Sequence, residues 1–184
     1  MSRRIFIGAK PSARLIETVL AWQKNWQNLP VRWLTADQLH LTVVPPWNEK
    51  NLAEVKTILQ PKTDQSLAEK PVIVNFSKVT FGPGPLAPRL IWAEGPAPAE
   101  LVTLKDKLEQ TLGLEPLRRP FTLHLTLARF RPEEFINFPV KHLEEAVDWQ
   151  DTISSFSLIE SFLKPDGVEY ETLETYPIIK TPLP

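Results

Sequence analysis

The sequence predicts a single α+β domain, residues 1–184, built of mostly antiparallel sheets in two lobes. Three observations lead there. Period-two alternation of apolar side chains dominates the chain. Three stretches with apolar residues at spacings of three and four interrupt it, each ended by Pro or Gly. A four-residue word built on His also occurs twice, once in each half, which predicts two half-domains related by a pseudo-twofold around a central cleft.

Arg3 to Ala9 reads as a strand, with Ile5 and Ile7 on one face and Phe6 on the other. A helix starts at Pro11-Ser12; Leu15, Val19, Trp22 and Trp26 form its apolar stripe to Asn28, and Pro30 ends it. Val31 to Leu34 is short and strand-like. His40 to Val44 is a strand closed by Pro45-Pro46. Asn48 is a suitable cap for a helix lined by Leu52, Val55, Ile58 and Leu59 and stopped by Pro61.

Pro71 to Thr80 alternates as a strand, followed by the turn-rich Phe81-Gly82-Pro83-Gly84-Pro85. Leu90 to Ala93 returns. Pro98 to Leu112 is a helix with Leu101, Leu104 and Leu108 inside, terminated by Gly113. Thr122 to Phe130 is a strand. Thr152 to Leu163 and Val168 to Ile179 form a last pair, joined by Lys164-Pro165-Asp166-Gly167, whose Asp-Gly step is a hairpin signal.

Composition narrows the function. Lys+Arg number 21 and Asp+Glu 22, for a net charge of -1, so global charge gives no sign of a protein that coats duplexes. With no Cys, thiolate metal sites, disulfides and Cys nucleophiles are excluded. The apolar run after Met1-Ser2-Arg3-Arg4 is too short for a signal peptide, and no run spans a bilayer; a cytoplasmic protein is expected. Nothing demands more than a monomer.

The repeated words are Leu39-His40-Leu41-Thr42-Val43 and Leu123-His124-Leu125-Thr126-Leu127, and they take two of the three His. Strand period sets His40 and Thr42 on one face and Leu41 and Val43 on the other, and the same holds for the second word. Each strand therefore offers an imidazole and a hydroxyl side by side. Thr is a poor nucleophile without a strong base, and no carboxylate neighbours either His in sequence. A metal site needs a third ligand, and nearby Asp37 fits a local turn better; no metal and no cofactor are expected. Paired acid and base is the better fit, because imidazole titrates near neutral pH and one ring can be protonated while the other is not. With two hydroxyls to hold an anion, that chemistry suits phosphodiester cleavage without metal.

In these two His-x-Thr-x words the chain resembles the two-histidine (2H) phosphoesterase superfamily. It is most similar to the RNA 2′,3′-cyclic phosphodiesterases, also known as 2′-5′ RNA ligases. The resemblance extends to Arg3–Gly8, to Arg32-Trp33, to Arg119-Pro120-Phe121 and to the closing hairpin with Pro165-Asp166-Gly167-Val168-Glu169-Tyr170. It implies a bilobal LigT-like fold with helices on the outer faces. It also implies hydrolysis of a terminal 2′,3′-cyclic phosphate on RNA to a 2′-phosphate, with possible reversal as 2′-5′ ligation. His40 would be the general acid at the leaving 3′-oxygen and His124 the base that activates water. Thr42, Thr126 and Arg129 would hold the phosphate. Alternative substrates are small nucleotides, a cyclic ADP-ribose phosphate or a 2′-5′ oligoadenylate. The alternative outside catalysis is a module that binds RNA ends without turnover.

Two points stand against simple transfer. The family's aromatic after the first word is replaced by Pro45, in Val44-Pro45-Pro46-Trp47. Trp47 is then the candidate base-stacking residue, or else covers the helix that follows. Arg129 is the second: alternation from His124 and Thr126 puts Ala128, not Arg129, on the catalytic face, so the strand has to twist, bulge or end. Arg118, Arg119 and Arg131 lie near the same word and His142 falls in a charged stretch; Arg118, Arg131 and His142 read as surface.

Overall fold

The period-two runs become nine strands, and the computed structural model describes residues 2–60, 70–84, 87–116, 120–164 and 167–178. In chain order the elements are β1 (Arg3–Ala9), α1 (Ala13–Lys24), β2 (Arg32–Trp33), β3 (Leu41–Glu49), α2 (Leu52–Leu59), β4 (Val72–Gly82), β5 (Leu90–Gly95), α3 (Ala99–Thr111), β6 (Leu123–Arg129), β7 (Glu144–Ile153), β8 (Ser155–Lys164) and β9 (Gly167–Pro177). A 3-10 segment, Pro132–Asn137, follows β6.

The strand order is β7-β4-β5-β6-β3-β1-β8-β9, with β2 alongside β6, and every pairing is antiparallel. The order splits into two four-stranded halves, each with its His-bearing strand innermost. They meet through one register pair, Leu41 with Leu125. This is the two-lobed α+β architecture the repeated word predicts.

One sheet face carries the core. Ile5, Ile7, Leu41, Val43, Leu125 and Leu127 are buried there with Leu15, Val19 and Trp22 of α1 and Leu101, Leu104 and Leu108 of α3. Each such side chain contributes about 1.5–3 kcal/mol relative to leaving it in water. Ser12 caps α1 by accepting from the Leu15 amide, and Gly113, at a φ of 66°, follows α3.

Several boundaries differ from the sequence reading. The first helix ends at Lys24, and Trp26 lies in the turn beyond. β3 does not close at Pro45-Pro46 but runs on to Glu49; its register against β1 shifts there, so the prolines sit at an irregularity where no ladder N–H is needed. The cap of α2 is Asn51, whose side chain accepts from the Glu54 amide, rather than Asn48.

The strand expected over Thr152–Leu163 is two strands that part at Ser154, and the charged stretch before it is β7. β7 has a free edge, and charged residues are what keep such an edge from pairing with other chains. Arg118, Arg119, Pro165 and Asp166 lie outside the described residues. No helix of the described residues is long and apolar enough to cross a membrane.

Candidate active site

The site begins with the pair that joins the halves. Leu41 and Leu125 both point into the core, at 1% and 0% exposure. Their neighbours therefore point to the opposite face, which carries a cleft of about 500 Å³ lined by His40, Thr42, His124 and Thr126. Antiparallel register about Leu41–Leu125 sets His40 against Thr126 and Thr42 against His124.

Both strands bulge at the residue after the Thr. Gly8 pairs with Thr42 and Ile7 with Val44, so Val43 is the extra residue in β3. Trp92 pairs with Thr126 and Ile91 with Ala128, so Leu127 is the extra residue in β6. A bulge reverses the alternation beyond it. Ala128 goes into the core at 0% exposure, and Arg129 joins His124 and Thr126 on the cleft wall. This resolves the conflict between strand period and the expected phosphate-binding Arg. The bulged Leu127 carbonyl accepts from the Leu34 amide (2.9 Å) and from the buried Gln23 side chain (3.2 Å).

In β3 the residue equivalent to Arg129 is Pro45, which also lines the cleft. A second register shift follows it, between the Ile5–Trp47 and Ile7–Val44 pairs. Trp47 is thereby carried to the core side, half-buried against the hydrophobic core, with its indole N–H 3.3 Å from Glu49. The structure brings His40, Thr42, His124, Thr126 and Arg129 into one cleft and leaves Trp47 out of it.

The two imidazoles are held alike. His40 Nδ1 is 2.8 Å from the Gln38 carbonyl, and His124 Nδ1 is 2.9 Å from the Thr122 carbonyl, two residues back in each case. A carbonyl only accepts, so Nδ1 carries the hydrogen and Nε2 is the nitrogen that takes or gives a proton. Each ring also lies against an aromatic from the adjacent strand: Phe6 of β1 at 4.9 Å from His40, and Trp92 of β5 at 4.8 Å from His124. His40 keeps part of its surface open to the cleft but sits deep between Phe6 and Tyr170. Burial pushes its pKa down from 6.5 to about 4, and the positive charges of Arg129 and His124 act the same way against the Gln38 carbonyl. With its pKa at about 4, His40 is neutral at pH 7.

Four cationic side chains, Arg4, Arg89, Lys105 and Arg129, line the cleft, and no carboxylate is among its described lining residues. Lys105 is neutralised by Glu109 at 2.8 Å, which leaves an arginine-rich wall suited to an anion. Among the described residues no three His, Asp or Glu side chains gather as metal ligands would. His142 is exposed near Glu144, away from the cleft.

Sequence reasoning missed Phe6 and Trp92 as supports of the imidazoles, and Tyr170, which meets His40 edge-on at 4.6 Å. The signal for the first two was available: each is a cleft-side aromatic on the strand beside a word. Tyr170 lies far away in sequence, and only the β9 fold-back brings it there.

The family model described as the 2′-5′ RNA ligase superfamily matches residues 11–161. An RNA 2′,3′-cyclic phosphodiesterase of Aeropyrum pernix is 34% identical over 98 residues, which is 50% of this chain and 56% of that protein. Among solved structures, TT0787 of Thermus thermophilus superposes with a TM-score of 0.74 at 21% identity, covering 95% of this chain and 97% of that one. E. coli LigT complexed with 3′-AMP gives 0.71 at 20% identity, covering 98% and 100%. These structures share the fold. The family match spans both His-x-Thr words, both bulges and Arg129, and on it the chain belongs to the 2′-5′ RNA ligase superfamily.

Proposed function

We propose that this protein hydrolyses terminal 2′,3′-cyclic phosphates on RNA to 2′-phosphates, without a metal, using His40 and His124 as an acid–base pair. The observation that carries the reading is the matched pair of imidazoles. Each is locked through Nδ1 to the carbonyl two residues back, and each stands beside a Thr hydroxyl on an arginine-lined wall. The family and the Aeropyrum relative point to the same chemistry.

In this reading Thr42, Thr126 and Arg129 hold the phosphate and stabilise the charge it gains in the transition state. His124 Nε2 takes a proton from water as its oxygen bonds to phosphorus. His40 Nε2 gives a proton to the 3′-oxygen as the P–O3′ bond breaks. In ligation a 5′-hydroxyl stands in place of water: His124 Nε2 takes its proton as the oxygen bonds to phosphorus, His40 Nε2 protonates the 3′-oxygen as P–O3′ breaks, and a 2′-5′ linkage remains; cleavage of that linkage exchanges the two roles.

Burial disfavours the proton His40 must donate, so in this reading an anionic phosphate supplies the counter-charge and its binding is accompanied by proton uptake. Titration calorimetry with a nucleoside 2′-phosphate, in buffers of differing ionisation enthalpy, reads that proton. Binding without uptake assigns His40 as the base instead.

The function itself is tested with a short RNA ending in a 2′,3′-cyclic phosphate, incubated in excess chelator and followed by phosphorus NMR, alongside His40→Ala and His124→Ala. Conversion to a 2′-phosphate that requires both His is the expected result. No conversion by folded wild-type protein overturns the RNA reading. A screen of cyclic ADP-ribose phosphate and 2′-5′ oligoadenylate then separates a small-nucleotide enzyme from a module that only binds.

A further inference from the structure

We infer that Tyr170 is a positioning residue that holds the Arg129 guanidinium at the phosphate site and ties the lobe of His124 to the lobe of His40. This rests on the reading of Arg129 as a phosphate ligand given above.

Tyr170 belongs to β9, opposite Ser161 of β8, in the outer hairpin of the His40 lobe. Arg129 ends β6 in the other lobe. The Tyr170 hydroxyl accepts from Arg129 Nη2 at 3.4 Å, while Arg129 Nε is buried with no hydrogen-bond partner among the described residues. An arginine with a buried, unpaired Nε and one contact at its tip is aimed by that contact. The ring of Tyr170 is occupied at the same time: it meets His40 edge-on at 4.6 Å and Phe6 at 5.6 Å, both within its own lobe. One side chain thus touches a proposed acid and a proposed anion ligand from opposite halves.

The halves need such a tie. β3 and β6, the strands that join them, share a single register pair. The turn end of the hairpin is itself anchored: the Val168 carbonyl accepts from Arg32 Nη2 and Gln38 Nε2, each at 3.4 Å. Gly167, at a φ of 137° that favours glycine, lies against the Arg32 guanidinium. Tyr170 is therefore presented from a fixed strand.

Two substitutions separate the hydroxyl from the ring. Tyr170→Phe keeps the ring and releases Arg129. We expect it to weaken binding of inorganic phosphate and to lower kcat/KM, each by about ten- to a hundredfold, the range of a hydrogen bond to a charged group. It should leave the His40 titration, followed by NMR of its ring protons, where it was. Tyr170→Ala also opens the His40 pocket and should move that titration upward. In a double-mutant cycle with Arg129→Lys, the phosphate-binding penalties should fall well short of additive, because the second change removes what the first has already released.

Wild-type phosphate affinity in folded Tyr170→Phe overturns the inference, as does full additivity with Arg129→Lys. The phosphate readout needs no turnover. Failure of the cyclic phosphodiesterase reading, seen as an inactive wild type, is thereby distinguishable from failure of the Tyr170 tie.

Discussion

Leu41 of β3 pairs with Leu125 of β6, and this one contact sets which face of the two strands lines the cleft. Because both leucines point into the core, His40, Thr42, His124 and Thr126 point out of it, into the cleft. In the proposed reaction the two imidazoles serve one step. His40→Ala or His124→Ala should each lower kcat by about 10²- to 10⁴-fold. The double variant should lose little more than the worse single one, since an acid and a base serving one step act as a unit. Steady-state kinetics on the three variants decides; losses that multiply would mean the two rings work independently.

Gln23 reaches from α1 to the carbonyls of Leu34 and Leu127, and the second of these belongs to the bulge that turns Arg129 into the cleft. Gln23→Leu takes a donor from the Leu34 carbonyl, leaves the Leu127 carbonyl only the Leu34 amide, and should cost about 1–3 kcal/mol of stability. It should also lower kcat/KM in the folded protein, because the bulge loses a support and Arg129 its direction. Urea denaturation and kinetics on the same sample test both parts. Unchanged kinetics in a destabilised Gln23→Leu would show that the bulge holds without the amide.

Trp47 covers the core beside α2 while Pro45 and Pro46 line the cleft. Trp47→Ala should therefore lower the thermal midpoint by several degrees, through lost apolar contact. KM for a cyclic nucleotide should stay within about twofold, well under the 1–3 kcal/mol a base-stacking residue supplies. A tenfold rise in KM would return Trp47 to the substrate.

The buried His40 makes stability depend on pH. Its folded pKa, about 4, lies below the ordinary 6.5, so between those values the unfolded chain binds a proton that the folded chain excludes. Stability is highest above pH 6.5 and is lost as pH falls toward 4. His40→Gln removes the titrating group and should flatten that part of the profile. Denaturant midpoints at pH 7.0 and 5.0, for wild type and variant, give the comparison; equal losses would place the acid sensitivity elsewhere.

The sequence by itself determined the strand-rich α+β class, the three helices and the two-lobed plan. Each rests on local periodicity and on a word repeated with its spacing intact. It also set His40, Thr42, His124 and Thr126 on the faces of their strands, because side-chain direction over three residues follows from backbone geometry alone. β7 escaped, since Glu144, Glu145, Asp148 and Asp151 hide its alternation; only pairing to β4 makes a strand of it.

Arg129, Trp47 and Tyr170 could not be placed from the chain. Periodicity carries a side chain's direction forward only until a bulge, and bulges belong to the register between two strands, which neither strand encodes alone. The extra residue at Leu127 turned Arg129 into the cleft, and the second shift in β3 turned Trp47 out of it. Tyr170 needed the whole fold: β9 must return along β8, and β8 along β1, before its hydroxyl comes within reach of Arg129 on the far lobe.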